Sequence, residues 1–360
     1  MVAFLSWAAT VSTTLLALSS PPSSQTTSTL NAPTTEQYSN LLNWLNTTFD
    51  SSYVSPTVTI SPSPRGGHGL FAQTDIPADT LLVTIPREAC ITSEIVLNDE
   101  DVGKAFQTLM KKAGPGSFTV AMAGYLAKEY LVLKELGSEG TKFGPYFETL
   151  PWTRGFNGQD HVLFWSQDDV DTLLVDSLCE RESLDLRAEV KVAKRILNAL
   201  IGPTVLRARN EMEKEEPLIP FLPWTKPPTP TITSPIPGIG KAVSGAFVIL
   251  LTRAFDDEYD TTVEGEDAER LIPILDMINH DNDPSIRHET SKENGSVEVR
   301  TRRNIAAGEE IFNQYREEEE LNMPYHRFFS RFGFVPGITE NAKALFMDKS
   351  SIFFSKKAQV

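Results

Sequence analysis

Two stretches decide the reading of this chain. Arg270-Leu-Ile-Pro-Ile-Leu-Asp276-Met-Ile-Asn279-His280-Asp281 sets an apolar run directly against an Asn-His pair, and Ile305-Ala-Ala-Gly-Glu-Glu310-Ile-Phe-Asn-Gln-Tyr315 follows downstream. In the second stretch Ala307-Gly308 supplies a turn, and Glu310 to Tyr315 alternates as a half-buried strand does. Ser296 to Thr301 alternates in the same way. Much earlier, from Val58 to Thr92, the texture is again short β-rich runs such as Leu81-Leu-Val-Thr-Ile85. Pro62, Pro64, Gly66, Gly67, Gly69, Pro77 and Pro86 punctuate them. Strands and tight turns are therefore expected toward both ends of the folded region.

Between them the period changes. Met122, Leu126, Tyr130 and Leu133 lie on one face of a helix, and so do Leu186, Val190, Ala193, Leu197 and Leu200. Ser166 with Asp169 is a capping signal ahead of Val170, Leu173 and Leu174. Residues 101–215 are thus predicted to be mainly helical. The Pro-rich run Pro217 to Pro237 cannot be regular structure, since proline fixes φ and lacks a donor, and an apolar helix is expected from about Ala242. A packing helix is also predicted near Tyr38 to Phe49, from the spacing of Leu41, Leu42, Trp44, Leu45 and Phe49. The fold class is α+β, with β-rich parts around a helical insert. The boundaries are 1–35 as leader, 36–100 as N-terminal flank and first β-rich part, 101–240 as helical insert with Pro-rich loop, 241–336 as second β-rich part and 337–360 as a short tail.

The chain has 360 residues and 40% hydrophobic content, enough for a sizeable core. A net charge of -15 argues against a nucleic-acid partner, because such binding relies on Lys and Arg at phosphates, and favours a basic protein segment instead. Two cysteines, Cys90 and Cys179, give neither a disulfide framework nor a zinc spacing, so no metal is expected. The leader has no charged side chain before Glu36, and Val2 to Leu18 is apolar apart from scattered Ser and Thr. It reads as a removable targeting segment for a plastid or the secretory route, though it lacks the Arg of the one and the basic start of the other. An uncleaved disordered tail, leaving the protein cytoplasmic, is the alternative. A membrane anchor is disfavoured, because the run is short and hydroxyl residues interrupt it before Pro21-Pro22.

No GxSxG elbow, HExxH or Walker loop is present, and Gly67-His68-Gly69 lacks the third glycine of a dinucleotide fingerprint. The Asn279-His280 stretch and the Gly-Glu-Glu strand ending in Tyr315 resemble instead the C-terminal half of a SET domain. Arg65-Gly-Gly-His-Gly-Leu-Phe-Ala72 resembles the glycine-containing first motif of that family, and Asp75-Ile-Pro-Ala-Asp-Thr-Leu-Leu82 its next strand. Ser166-Gln-Asp-Asp-Val170 and Leu251-Thr-Arg253-Ala-Phe255 are similar to segments of the group that includes the plastid Rubisco large-subunit lysine methyltransferase and the actin-histidine methyltransferase. The resemblance runs over about 58–336 and is weakest over about 200–245.

The resemblance implies a β-rich SET fold with a knot-like C-terminal crossing, S-adenosylmethionine as cofactor, and transfer of its methyl group to a protein lysine. A histidine target, or a non-catalytic protein-binding module, is the alternative it leaves, and an assembly protein working through its helical insert is a third. Gly67, His68 and Gly69 would meet the cofactor through backbone that glycine lets approach closely, with the His68 ring turned outward. Asn279 and His280 would hold it through amide and backbone hydrogen bonds. Arg253 and Asp276 would stand beside the target nitrogen mainly through backbone carbonyls. Tyr315 would be the catalytic hydroxyl that orients the nucleophile. These residue types suit the chemistry. Presenting a lysine neutral at pH 7 costs about 4–5 kcal/mol unless its surroundings depress its pKa, and an apolar channel does so by desolvation.

Two departures bear on substrate. Many relatives carry Tyr-Gly-Phe where this chain reads Arg331-Phe332-Gly-Phe334, so Phe332 removes a hydroxyl and leaves room for multiple methylation or a different nitrogen. The run Glu317 to Glu320 reads as a solvated loop or as an acidic rim for a basic substrate. The helical substrate-binding domain that follows in Rubisco-type relatives is expected to be absent or vestigial after Pro336. Substrate choice is therefore expected to rest on the SET surface, the insert or a partner.

Overall fold

A computed structural model describes residues 33–114, 116–215, 238–260, 268–315 and 323–335. Most of the leader, the Pro-rich loop, the acidic run Glu317 to Glu320 and the C-terminal tail lie outside these described residues.

The chain enters through α1 (Thr35–Thr48), which starts at a reciprocal cap: Thr34 accepts from the Gln37 amide, and the Gln37 side chain accepts from Thr34 N. Its buried stripe is Tyr38, Leu41 and Leu45, at helical spacing. The strands β1 (Tyr53–Val54), β2 (Val58–Pro62), β3 (His68–Ala72) and β4 (Leu81–Ile85) follow. They pair with late strands: β7 (Ile286–Thr290), β8 (Val297–Thr301) and β9 (Glu310–Ile311). One sheet has the order β1-β4-β8-β7 and another β2-β3-β9, all antiparallel. Residues more than two hundred apart in sequence thus share sheets, as Leu70 does with Ile311.

The insert is helical, as its period predicts: α2 (Ser93–Leu97), α3 (Gly103–Ala113), α4 (Ser117–Leu136), α5 (Gly144–Phe147), α6 (Gln167–Leu173) and α7 (Leu178–Glu215). The Ser166/Asp169 signal is a capping box at the start of α6. The expected helix near Ala242 is α8 (Ile239–Arg253), and it packs on α4 through a nearly continuous apolar surface. Helix α8 runs straight into β5 (Ala254–Asp256), which pairs with β6 (Glu269–Leu271), so Arg253 sits at a helix-to-strand junction. Last comes α9 (Tyr325–Phe332), docked against α7 and α8.

One hydrophobic core joins the β-rich parts to the insert, with Trp152, Tyr146, Phe106, Phe118, Phe143 and Phe147 among its fully buried members. A second cluster, Val162, Trp165, Val170, Leu174, Cys179, Phe329 and Val335, ties the insert to α9. Beyond β9 the expected alternation does not continue as a paired strand. Instead Asn313 bridges His280 in parallel, so the segment ending in Tyr315 runs alongside the Asn-His segment. The contacts of the described residues define this pairing; they do not define a knot. No helix among the described residues is long and apolar enough to cross a membrane, and no three His, Cys, Asp or Glu side chains among them group as metal ligands.

Candidate active site

The β2–β3 hairpin turns through Ser63–Gly67, with Gly66 and Gly67 both at positive φ (100° and 66°), a conformation that L side chains avoid. Space is as decisive as conformation. A Cβ at Gly67 would collide with the carbonyl oxygen of Asn157, and one at Gly69 would strike Glu310 Oε1 and come within 2.9 Å of Asn279 Nδ2. The glycines thus allow this loop to be clasped from both sides, by the insert and by the Gly-Glu-Glu strand.

Glu310 is the underside of that clasp. It is only 7% exposed, and it accepts from Asn279 Nδ2 at 2.7 Å and from Ser63 Oγ at 2.9 Å. Asn279 Nδ2 also donates to the carbonyl of His68, at 3.3 Å. Both amide protons of Asn279 are therefore committed within the protein, and its backbone carbonyl accepts from Asn313 N at 2.8 Å, which narrows the sequence expectation to its Oδ1. Arg65 closes the loop over the Asn-His segment, donating from Nη1 to the His280 carbonyl (2.7 Å) and pairing with Asp281, its guanidinium lying 4.1 Å from the Phe312 ring centroid. The His68 ring does not simply point outward. It packs at a tilt against Tyr38 of α1, with centroids 4.5 Å apart, and its Nδ1 hydrogen-bonds Asn157 Oδ1 at 2.9 Å.

The apolar run Ile272–Ile278 is buried, and a short 3-10 turn, Leu275–Met277, carries Asp276. The residue that starts this turn, Ile274, has φ of 71°, an uncommon conformation for a β-branched residue. Here Asp276 Oδ2 accepts from the Tyr146 hydroxyl at 2.8 Å, and Arg253 Nη1 donates to the Asp276 carbonyl at 2.8 Å and lies 3.5 Å from Oδ2. Burial raises the Asp276 pKa, against the opposing pull of Arg253 and Tyr146. Burial works to lower the Arg253 pKa, but its anionic and phenolic neighbours, Asp276 first, outweigh it and leave the guanidinium firmly charged. The two side chains bind each other, in keeping with a structural role, and the Asp276 carbonyl already holds one donor.

Tyr315 is placed by His280 and Phe332. Its backbone N–H donates to His280 Nδ1 at 3.1 Å, its ring lies 5.2 Å from the His280 ring, and the Phe332 ring is 5.5 Å away. Phe332 in turn contacts Phe328 (4.5 Å), and Phe334 lies 5.2 Å from Phe328. The result is an aromatic wall beside Tyr315. Burial, opposed by Arg253, pushes the Tyr315 phenol up to about 12, so it stays protonated at neutral pH. Such a hydroxyl can donate a hydrogen bond and is a poor proton acceptor.

His161 ties the insert to α9, which carries Phe332. This fully buried ring accepts from Leu163 N through Nδ1 (3.1 Å) and donates from Nε2 to the Ser330 carbonyl (2.8 Å). Burial lowers its pKa to about 4.

The site therefore brings together Gly67, His68, Gly69, Asn279 and His280 in one interlocked unit, and Arg253, Asp276, Phe332 and Tyr315 around another. Arg253 and Asp276 influence the Tyr315 phenol, so the two units adjoin. Glu310, Tyr146, Asn157, Arg65 and Tyr38 were not singled out from the sequence. Glu310 lies within the quoted Gly-Glu-Glu strand, where the sequence marks only the alternation and the motif; for Tyr146 and Asn157 it gives no local signal. Among the described residues, the buried Tyr38 Oη, Arg253 Nε and Asp276 Oδ1 have no hydrogen-bond partner.

The SET domain family matches residues 67–316, most of the described fold, and the chain belongs to that family. Among curated proteins it is 23% identical over 271 residues to "N-lysine methyltransferase setd6" of Xenopus laevis, covering 74% of this chain and 50% of that one. To the protein of the same name from Salmo salar it is 25% identical over 270 residues, covering 73% and 49%. The chain thus spans about half the length of these relatives. Among solved structures, Rubisco LSMT bound to AdoMet superposes with a TM-score of 0.56 at 18% identity, over 84% of this chain and 57% of that one. The SET domain of LSMT bound to lysine and AdoHcy gives 0.55 at 17%, over 83% and 57%. These likenesses establish the fold.

Proposed function

We propose that this protein is an S-adenosylmethionine-dependent protein N-methyltransferase acting on a lysine of a non-histone protein. The observation that carries the reading is the placement of Tyr315: its amide is fixed on His280, its phenol is buried, protonated and within the field of the Arg253–Asp276 pair, and its ring lies beside Phe332. The names of the setd6 relatives and of the lysine-bound and AdoMet-bound LSMT neighbours support the lysine and the cofactor, and the Rubisco enzyme supports a non-histone target.

The residues fit that cofactor. A backbone loop that admits no Cβ at Gly67 or Gly69 is suited to close approach, and the site presents buried polar atoms without protein partners. Gly67, His68, Gly69, Asn279 and His280 would hold S-adenosylmethionine, which supplies an electrophilic methyl carbon on a sulfonium. The remaining work belongs to side chains. The rings of Phe328, Phe332 and Phe334 keep water from an amine and favour its neutral form by desolvation. Tyr315 offers a hydroxyl that stays protonated and can align the nitrogen, in keeping with an orientation problem more than an acid/base one. Phe332, lacking a second hydroxyl, leaves room for an amine that already carries methyl groups.

Incubating the protein with methyl-labelled S-adenosylmethionine and an extract of candidate proteins, followed by peptide mapping, tests this reading. Label on lysine Nζ is expected. Label on a histidine ring nitrogen would replace the lysine assignment, and no transfer despite cofactor binding would leave a binding module.

A further inference from the structure

Helix α1 lies ahead of residue 67, where the family match begins, yet it reaches the site. Its reciprocal cap at Thr34 and Gln37 fixes the first turn, and the stripe Tyr38, Leu41 and Leu45 is buried against the core. Tyr38 opens that stripe. Its ring packs on the ring of His68, within the glycine loop, with centroids 4.5 Å apart. The residue is 1% exposed, and no protein group among the described residues bonds its hydroxyl. A phenylalanine would fill the same space and keep the same ring contact. An interior hydroxyl with an unmade hydrogen bond is unfavourable, so its presence calls for a partner.

The surroundings indicate what kind of partner. Burial raises the Tyr38 pKa, and the two charges that act on it are Arg253, which lowers it, and Asp276, which raises it. Arg253 Nε and Asp276 Oδ1 are themselves buried and without a hydrogen-bond partner among the described residues. A cation, an anion and a hydroxyl that both donates and accepts, supplied by three separate elements, match a zwitterionic amino-acid group. We infer that Tyr38 is a cofactor-site residue whose hydroxyl binds the amino-acid end of S-adenosylmethionine. The inference rests on the cofactor reading given above, and it makes helix α1 part of the binding site and not only a packing element.

The test is Tyr38→Phe in the full chain, with three readouts. Thermal unfolding without ligand should be unchanged or slightly higher, because no bond within the protein is lost. Calorimetric affinity for S-adenosylmethionine should fall about tenfold or more, the scale of one hydrogen bond to a charged group. Affinity for 5′-methylthioadenosine, which keeps the nucleoside and sulfur but has no amino-acid end, should be equal in both proteins. A lower melting temperature without ligand would make the hydroxyl a structural one and overturn the inference, as would unchanged affinity for S-adenosylmethionine or an equal loss for both ligands. A wild-type protein that does not bind S-adenosylmethionine would overturn this inference together with the reading beneath it.

Discussion

Replacing Asn279 by alanine removes one of the two donors that reach the buried Glu310 carboxyl group and cuts the tie to the His68 carbonyl. A hydrogen bond to a charged acceptor contributes on the order of 1.5–3 kcal/mol net, and leaving the acceptor short of a partner in the interior weighs toward the upper end. A loss of about 2–3 kcal/mol is therefore expected, and at about 2–4 °C per kcal/mol for a folded unit of this size the melting temperature should drop by about 5–10 °C. Circular dichroism on the ligand-free protein measures it. Glu310→Gln, alone and combined with Asn279→Ala, completes a double-mutant cycle in which the combined loss should be smaller than the sum, since one variant removes and the other weakens the same contact. Affinity for S-adenosylmethionine should fall as well, because the glycine loop loses its anchor. A melting temperature within about 2 °C of wild type, or strict additivity in the cycle, would refute the clasp.

Acid should weaken the fold through His161. Its ordinary pKa of 6.5 in the unfolded chain falls to about 4 when buried, so the stability is complete above 6.5 and is lost as pH falls from there toward 4, by about 3 kcal/mol in full. Urea unfolding between pH 7 and pH 4.5 should show a steeper decline in wild type than in His161→Asn; parallel declines would remove His161 as the cause. Phe332→Tyr restores a hydroxyl beside Tyr315 and takes up space, and mass spectrometry of the product should then show fewer methyl groups per lysine; an unchanged distribution would mean that Phe332 does not bound the methyl-accepting space.

Much of this architecture was legible because its signals are local. The strand Leu81–Ile85 announces itself by composition, Val297–Thr301 by alternation, and helix α6 by the Ser166/Asp169 cap. The Asn-His pair and Tyr315 were legible as motifs. What escaped was set by contacts between residues far apart in sequence. Glu310 becomes a site residue only where Ser63 and Asn279 are brought to it, and Tyr146 only where Asp276 meets it. Asn157 takes a left-handed conformation, φ 50°, that its sequence context does not dictate, and it is held against Gly67 and His68 by packing of the insert. The Glu310–Tyr315 alternation was misleading in extent, because after Ile311 the chain leaves its sheet partner to run beside His280.

The central claim is that a protonated, pre-placed Tyr315 hydroxyl aligns an amine for methyl transfer. Measuring single-turnover transfer from labelled S-adenosylmethionine to the mapped lysine, in wild type and Tyr315→Phe, tests it most directly. Losing one well-placed polar contact of this kind raises the barrier by about 3–4 kcal/mol, so the rate should fall roughly a hundred- to thousandfold. Cofactor affinity should change little, since the variant removes only the hydroxyl and leaves the glycine loop, the Asn-His segment and the Tyr315 amide bond to His280 in place. Transfer by Tyr315→Phe at the wild-type rate would contradict the account.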